Sequence, residues 1–230
     1  MFPRSTVKHQ LGPKRQASGG TGQAIYEQDR EAGPQEGGSY TRLMQGAPSV
    51  EAAEDLAREL LEPLGNRWAH TQAVAARADG LTPAVQPVAD RPLLVVAAWW
   101  HDLGYAPALR DTGCHQIDGA RYLAREGYPE RLVALVAHHS AATCEAEERG
   151  LLADLEAWSR EESPVADALW MADMTTGPQG EEFAYDERLS EILTRYQPTS
   201  TVGRSMLRAE PAIRAAIERT RQRMQDAYTI

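Results

Sequence analysis

The chain has 230 residues, a length that suits one domain with a terminal tail and allows a sizeable hydrophobic core. Its formal net charge of −9 is unevenly distributed, because residues 1–47 carry a net +2 and residues 48–230 a net −11. An acidic body argues against a nucleic-acid backbone as the main partner, whereas a small phosphorylated ligand needs only a few local cations.

The N-terminal segment, residues 1–47, differs in composition from the rest of the chain. It contains eight of the eighteen glycines and shows neither a helical nor a strand period, which predicts a disordered tail. Its first thirty residues have no apolar signal-peptide core, and the longest apolar run of the chain, residues 93–100, is too short to span a membrane. We therefore expect a cytoplasmic protein whose folded domain covers residues 48–230.

From Ser49 onward the apolar residues recur at helical spacing, and no segment shows convincing strand alternation. Ser49 is a predicted N-cap, and Gly65 ends the helix that follows it. The later predicted helices are, in order, about 68–78, a helix ending at Gly104, about 115–126, one starting at Pro129, one starting at Pro164, about 186–196 and about 202–228. The predicted fold class is all-α.

Candidate metal ligands are concentrated in the middle of the chain. Five of the six histidines lie within 70 residues, and the doublet His101–Asp102 closes the apolar run 93–100. A further carboxylate, Asp173, lies in the apolar segment 166–173, and buried charges are costly unless another charge compensates them. One such histidine is more often a hydrogen-bonded core residue, and an Arg–Asp pair would also explain Asp173. Jointly, these residues predict a site for a divalent metal.

The helical period separates the neighbours His138 and His139. His139 continues an apolar stripe with Leu132, Leu135 and Val136, whereas His138 is rotated by about 100° on a helix. His139 is therefore the predicted ligand.

The cysteines, Cys114 and Cys144, form no CxxC pair, and we interpret both as ordinary reduced thiols.

The ligand order His, His-Asp, His, His-His, Asp resembles that of the HD-domain superfamily, over about residues 65–200. Four local motifs resemble those of the family: Arg67-Trp-Ala-His70-Thr, His115-Gln-Ile-Asp-Gly-Ala, Ala137-His-His-Ser140 and Ala172-Asp-Met-Thr-Thr-Gly177. The chain is most similar to the small stand-alone bacterial HD proteins, which are regarded as metal-dependent phosphohydrolases. The resemblance implies a helical bundle.

The resemblance also implies which residues bind metal. His70, His101, Asp102 and Asp173 correspond to the ligands of one ion. His115 and His139 correspond to the two extra histidines of two-metal members, in which the aspartate of the doublet bridges both ions. Imidazole and carboxylate ligands suit Mn²⁺ or Fe²⁺, with Co²⁺, Ni²⁺ and Zn²⁺ as alternatives. We therefore expect two divalent ions.

The implied reaction is hydrolysis of a phosphate ester or anhydride of a small nucleotide-like substrate by a metal-activated water. Asp102 is the expected bridging carboxylate, Arg67 either a phosphate clamp or a surface arginine, and His138 a residue that orients a ligand or meets the leaving group. Many two-metal members read H-D-x-[GA]-K, but this chain reads His101-Asp-Leu-Gly-Tyr105 and has no lysine after Lys14. Tyr105 therefore either donates a hydrogen bond to substrate in place of the lysine or only packs.

Two other functions stay open at this point. Some HD-fold proteins with the same ligands are mixed-valent di-iron oxygenases, and a non-catalytic nucleotide-binding module is a further alternative. The expected partner is a small phosphorylated metabolite rather than nucleic acid or a membrane, and a homodimer is compatible with the sequence.

Overall fold

The structure, a computed structural model, describes residues 47–229. The disordered tail predicted for residues 1–47 therefore lies outside the described residues, except for its last residue. Ten α-helices follow one another along the described chain: α1 Val50–Leu61, α2 Asn66–Gly80, α3 Arg91–Trp100, α4 His115–Glu126, α5 Glu130–Ala137, α6 Ala142–Arg149, α7 Leu152–Leu155, α8 Pro164–Met174, α9 Tyr185–Tyr196 and α10 Thr201–Tyr228. The one β-type pairing among these residues is an isolated bridge between Thr176 and Glu182. The all-α prediction is confirmed.

Serine side chains begin three of the helices. The hydroxyl of Ser49 accepts a hydrogen bond from the backbone nitrogen of Ala52 at 3.2 Å, as predicted for the start of α1. Ser163 and Ser200 make the equivalent bonds at the starts of α8 and α10, at 3.1 and 3.0 Å. Each bond satisfies a backbone donor that a helix start otherwise leaves without a partner, which explains why the helices begin at these residues.

Helices α3 and α8 form the centre of the bundle. Residues 94–100 of α3 and 165–174 of α8 are buried, and the two helices pack against each other. Helices α1 and α2 cover α3, and the long helix α10 packs along α8. Because His101–Asp102 follows α3 directly and Asp173 lies in the last turn of α8, the bundle holds these polar groups inside its apolar core.

The helix containing residues 93–100 ends earlier than predicted. It stops at Trp100, and a 3-10 turn over Leu103–Tyr105 follows. A Cβ atom added to Gly104 would lie 1.9 Å from the carbonyl oxygen of His115 and 2.7 Å from the nitrogen of Gly119. Backbone therefore meets backbone at this point, and the close approach places the start of α4 beside the His101–Asp102 doublet.

The chain between α5 and α8 also departs from the prediction. Helix α5 ends at Ala137, so His139 lies in a 3-10 turn, and the short helices α6 and α7 were not predicted. Ser140 and Ala141 have φ angles of 48° and 58°, in the left-handed region that helices avoid.

Along the described chain, no helix combines the length and apolar character needed to cross a bilayer.

Candidate metal centre

The predicted metal ligands come together from five separate segments. His70 lies on α2, His101 and Asp102 follow α3, and His115 is the first residue of α4. His139 follows α5, and Asp173 lies near the end of α8. All of them except His115 are buried, and His115 is only partly exposed. Six residues from five segments that are far apart in the sequence therefore face one another in the core.

Four of these residues form a first cluster. The Nε2 atom of His70 lies 3.1 Å from Oδ1 of Asp173 and 3.7 Å from Oδ2 of Asp102. The Nε2 atom of His101 lies 3.2 Å from Oδ2 of Asp102 and 3.9 Å from Oδ1 of Asp173. Donor atoms that each lie about 2.1 Å from one ion are roughly 3–4 Å apart, so these separations suit a shared ion.

A second cluster shares Asp102 with the first. The Nε2 atom of His115 lies 3.3 Å from Oδ1 of Asp102 and 3.1 Å from Nε2 of His139. One ligand atom from each of these three residues lies within 4.8 Å of the others. The two carboxylate oxygens of Asp102 thus face different clusters, an arrangement that allows one carboxylate to bridge two ions.

Backbone carbonyl groups orient three of the histidines. Nδ1 of His70 lies 3.0 Å from the carbonyl oxygen of Gly177, and Nδ1 of His101 lies 2.7 Å from that of Ala98. Nδ1 of His139 lies 2.6 Å from the carbonyl oxygen of Val136. Since a carbonyl oxygen can only accept, each Nδ1 carries a proton, and a neutral ring then has its lone pair on Nε2. In each of these rings, Nε2 is the atom that faces the clusters.

His101 shows most directly that the clusters suit a cation. Its side chain is 0 % exposed, and its Nε2 atom, although 3.2 Å from Oδ2 of Asp102, makes no well-oriented hydrogen bond among the described residues. A buried polar atom without a partner costs free energy, and a ligated metal ion would remove that cost. The residues present therefore fit a divalent ion by their donor types, their spacing and their orientation.

The electrostatics of the clusters favour positive charge. Burial lowers the pKa of His101, but the carboxylates of Asp102 and Asp173 and the carbonyl group of Ala98 together outweigh this effect and raise it to about 8. Burial raises the pKa of Asp102, yet Arg67 and His101 together hold it well below its usual range. Burial and the neighbouring His115 and His101 lower the pKa of His139 to about 3, so its ring is neutral and able to bind metal at neutral pH.

Arg67 and Tyr105, the predicted substrate-binding residues, both adjoin the clusters. The guanidinium group of Arg67 donates a hydrogen bond to Oδ2 of Asp102 and lies 3.9 Å from the centre of the Tyr105 ring. On its other side, Tyr105 stacks on His115 with ring centres 4.1 Å apart. Burial, together with the charge of Asp102, raises the pKa of Tyr105, so its hydroxyl stays protonated at neutral pH and can donate a hydrogen bond.

His138 is the predicted site residue that the structure does not bring to the clusters. Its Nε2 atom lies 2.8 Å from the carbonyl oxygen of Trp158, which it faces instead of the metal ligands. The side chain lines a small separate cavity with Glu161 and Trp170. These contacts do not support a role for His138 in orienting a ligand or meeting a leaving group.

Sequence reasoning missed two polar residues around the clusters. The hydroxyl of Ser140, a residue with left-handed backbone, donates to Oδ2 of Asp173. The carboxylate of Asp118 accepts bonds from the backbone nitrogens of three residues at 2.9–3.2 Å, which holds loop 111–113 beside the site. The serine in Ala137-His-His-Ser140 was the one available signal for the first contact.

A pocket of about 180 Å³ opens from the clusters to the surface. Its lining includes Asp102, His115, His139 and Asp173, so the pocket gives a small molecule access to both clusters. The remaining wall combines arginines, carboxylates and apolar side chains: Arg67, Tyr105, Gly113, Gln116, Ser140, Glu145, Arg149, Met174, Arg188, Ile192, Arg195, Tyr196, Val202 and Met206. Such a concave site with converging polar groups is typical of ligand binding.

A comparison with known families identifies this arrangement. The HD domain family model matches residues 67–172, from the predicted phosphate clamp to the residue before Asp173. No curated protein and no solved structure matches the chain. The matched segment contains both clusters apart from Asp173, and the resemblance seen in the motifs is confirmed: residues 67–172 of this chain form an HD domain.

Proposed function

We propose that this protein is a metal-dependent phosphohydrolase that cleaves a phosphate ester or anhydride of a small nucleotide-like substrate. The observation that carries the proposal is the common orientation of His70, His101 and His139. Each ring is held by a backbone carbonyl at Nδ1 and presents Nε2 to a shared group of carboxylates. HD domains are generally metal-dependent hydrolases, and the imidazole and carboxylate groups gathered here are donor types that divalent metal ions take.

The proposal assigns two divalent ions, Mn²⁺ or Fe²⁺, to the clusters, with Co²⁺, Ni²⁺ and Zn²⁺ as alternatives. His70, His101, Asp102 and Asp173 would hold one ion, and Asp102, His115 and His139 the other. When bound, such a pair supplies a nucleophilic water at neutral pH and neutralises charge on the phosphoryl oxygens. The bridging role goes to Asp102 because its two oxygens face different histidines, His101 and His115.

Arg67 and Tyr105 would bind the phosphate group. Arg67 lines the pocket beside Asp102, and its planar guanidinium has more donors than the Asp102 contact uses. Tyr105 lies between Arg67 and His115, so its ring restricts both side chains. Its protonated hydroxyl can donate to a phosphoryl oxygen, the role we infer for it in place of the lysine of other two-metal members.

The test measures metal content and phosphate release on the same preparations. Protein loaded separately with Mn²⁺, Fe²⁺, Co²⁺ and Mg²⁺ is assayed against a panel of nucleotides and other phosphate esters. We expect close to two ions per chain and hydrolysis of at least one substrate class. Asp102→Asn should fold normally but lose nearly all activity, since it removes the bridging anion while keeping the shape of the side chain.

The matched control is Asp79→Asn, the same change at an exposed carboxylate near the end of α2. It should retain the metal content and the activity of the wild type. Parallel assays with and without oxygen distinguish hydrolysis from oxygenase chemistry. Equal rates of phosphate release in both support the proposal. Turnover that requires oxygen and releases no phosphate would contradict it.

A further inference from the structure

One wall of the pocket is formed by α9, outside the segment that the family model matches. Arg188, Ile192, Arg195 and Tyr196 of this helix all line the pocket. Their spacing of four, three and one residues places them along one face of a helix. Helix α9 therefore presents two arginines to the space next to the clusters.

Arg188 is an unusual residue for such a wall. It is only 5 % exposed, and its Nε atom has no hydrogen-bond partner among the described residues. Its one ion-pair partner in this part of the chain is Glu191, which receives a hydrogen bond from Nη1. A guanidinium group has five N–H donors, and leaving even one of them unsatisfied in a buried position is costly. The pocket therefore contains a cation whose hydrogen bonds the protein itself does not complete.

Arg195 shares the same carboxylate. Its Nε atom lies 3.2 Å from Oε1 of Glu191, so two guanidinium groups are paired with one carboxylate. By contrast, Arg149, elsewhere in the pocket wall, has its own partner in Glu145 at 2.7 Å. Both charged side chains of α9 that line the pocket are thus cations, and they share a single carboxylate within a body whose net charge is negative.

Arg67 connects this wall to the clusters. It is paired with Asp102, and it also lines an adjoining cavity of about 70 Å³ together with Arg188 and Arg195. A ligand whose phosphate reached the clusters would therefore have a second group of arginines within the same continuous space. Planar guanidinium groups bind phosphate through paired hydrogen bonds, which favours a phosphoryl group over an apolar substituent at this position.

We propose that Arg188 and Arg195 form a second phosphate subsite, so that the preferred substrate carries another phosphoryl group besides the one at the clusters. The preference among hydrolysed substrates rests on the proposed function, whereas phosphate binding at the subsite can be measured without any hydrolysis. It predicts a preference for diphosphates or bisphosphates over monophosphates of the same scaffold.

Binding is measured by calorimetry on the full-length protein as purified, with inorganic phosphate and inorganic pyrophosphate as probes. We expect pyrophosphate to bind at least about 10-fold more tightly than phosphate, because each charge-assisted hydrogen bond contributes a factor of about 10 or more. Arg188→Gln and Arg195→Gln should each reduce this preference by about 10-fold. Arg195 is the more exposed of the two, so its variant remains informative if the other fails to fold.

The matched control is Arg125→Gln, which removes the same charge from an exposed position on α4 outside the pocket. It should leave the preference unchanged. Equal affinity of the wild type for the two probes, or an unchanged preference in both α9 variants, would overturn the subsite.

A hydrolysis assay distinguishes failure of the proposed subsite from failure of the proposed function. The metal-loaded wild type and the same variants are assayed with adenosine 5′-monophosphate and adenosine 3′,5′-bisphosphate. Loss of the bisphosphate preference in kcat/KM, with monophosphate turnover retained, supports the subsite. If the protein hydrolyses no phosphate ester but the pyrophosphate preference disappears in the α9 variants, the subsite stands and the proposed function fails.

Discussion

Gly104 offers a sensitive test of how the second cluster is positioned. A Cβ atom at this position would lie 1.9 Å from the carbonyl oxygen of His115, and real Cβ contacts are essentially never shorter than 3.0 Å. In Gly104→Ala the turn and the start of α4 must therefore separate by about 1 Å, as the difference between these distances requires. Both neighbouring atoms belong to the backbone, so no side-chain rotation can relieve the clash.

This overpacking should cost about 1–3 kcal/mol of unfolding free energy. For a folded domain of this size it corresponds to a fall in melting temperature of roughly 2–12 °C. Because His115 begins α4, the same displacement moves its ring away from Asp102 and His139. A displacement of about 1 Å at a reacting site can reduce the rate by about 10²-fold. We therefore expect weaker binding of the second ion and a large loss of activity.

The assays are thermal melting by circular dichroism, metal content by elemental analysis and phosphate release. The matched control is Gly80→Ala, because a Cβ at Gly80, the last residue of α2, meets nothing within 4 Å. That variant should be as stable as the wild type, or more stable by up to about 1 kcal/mol. If Gly104→Ala melts together with the wild type and keeps its metal, the close approach does not position His115.

Three further predictions concern other parts of the molecule. His139→Ala should lower the metal content towards one ion per chain, whereas His138→Ala should leave it unchanged; elemental analysis showing the reverse would reject the assignment. Burial raises the pKa of Cys114 to about 11, so its thiol should react with a thiol reagent at pH 8 far more slowly than the thiol of the more exposed Cys144. Equal reaction rates would show that Cys114 is accessible. Asp167 is buried and accepts hydrogen bonds from two arginines of α10. Asp167→Ala should therefore lower the free energy of unfolding by about 2 kcal/mol. An unchanged melting curve would mean that these ion pairs contribute little to stability.

Local sequence patterns determined most of the helices. Serine caps, apolar spacing and helix-ending glycines depend on neighbours within a few residues, and the predictions based on them were close for α1, α4, α9 and α10. The fold class and the HD domain could also be predicted, because the ligand types and their order are properties of the chain alone.

Helix ends near the site could not be predicted in the same way. The end of α3 depends on a contact between Gly104 and the backbone of α4, and the end of α5 depends on a left-handed turn at Ser140. Both are set by segments that are distant in the sequence or by a strained backbone that local propensity disfavours. His139 faces the clusters from the first position of the 3-10 turn that follows α5, on the side where the helical stripe had also placed it.

The sequence by itself therefore determined which residues could bind metal, and the tertiary structure decided how they face one another. The choice of Nε2 as the donor atom depends on carbonyl groups such as that of Gly177, 107 residues away from His70. The arginines of α9 showed no motif, since an arginine on a polar helix is usually solvated. Their proposed role follows only from the fold, which places α9 against the pocket and buries Arg188, whose unsatisfied Nε is costly there.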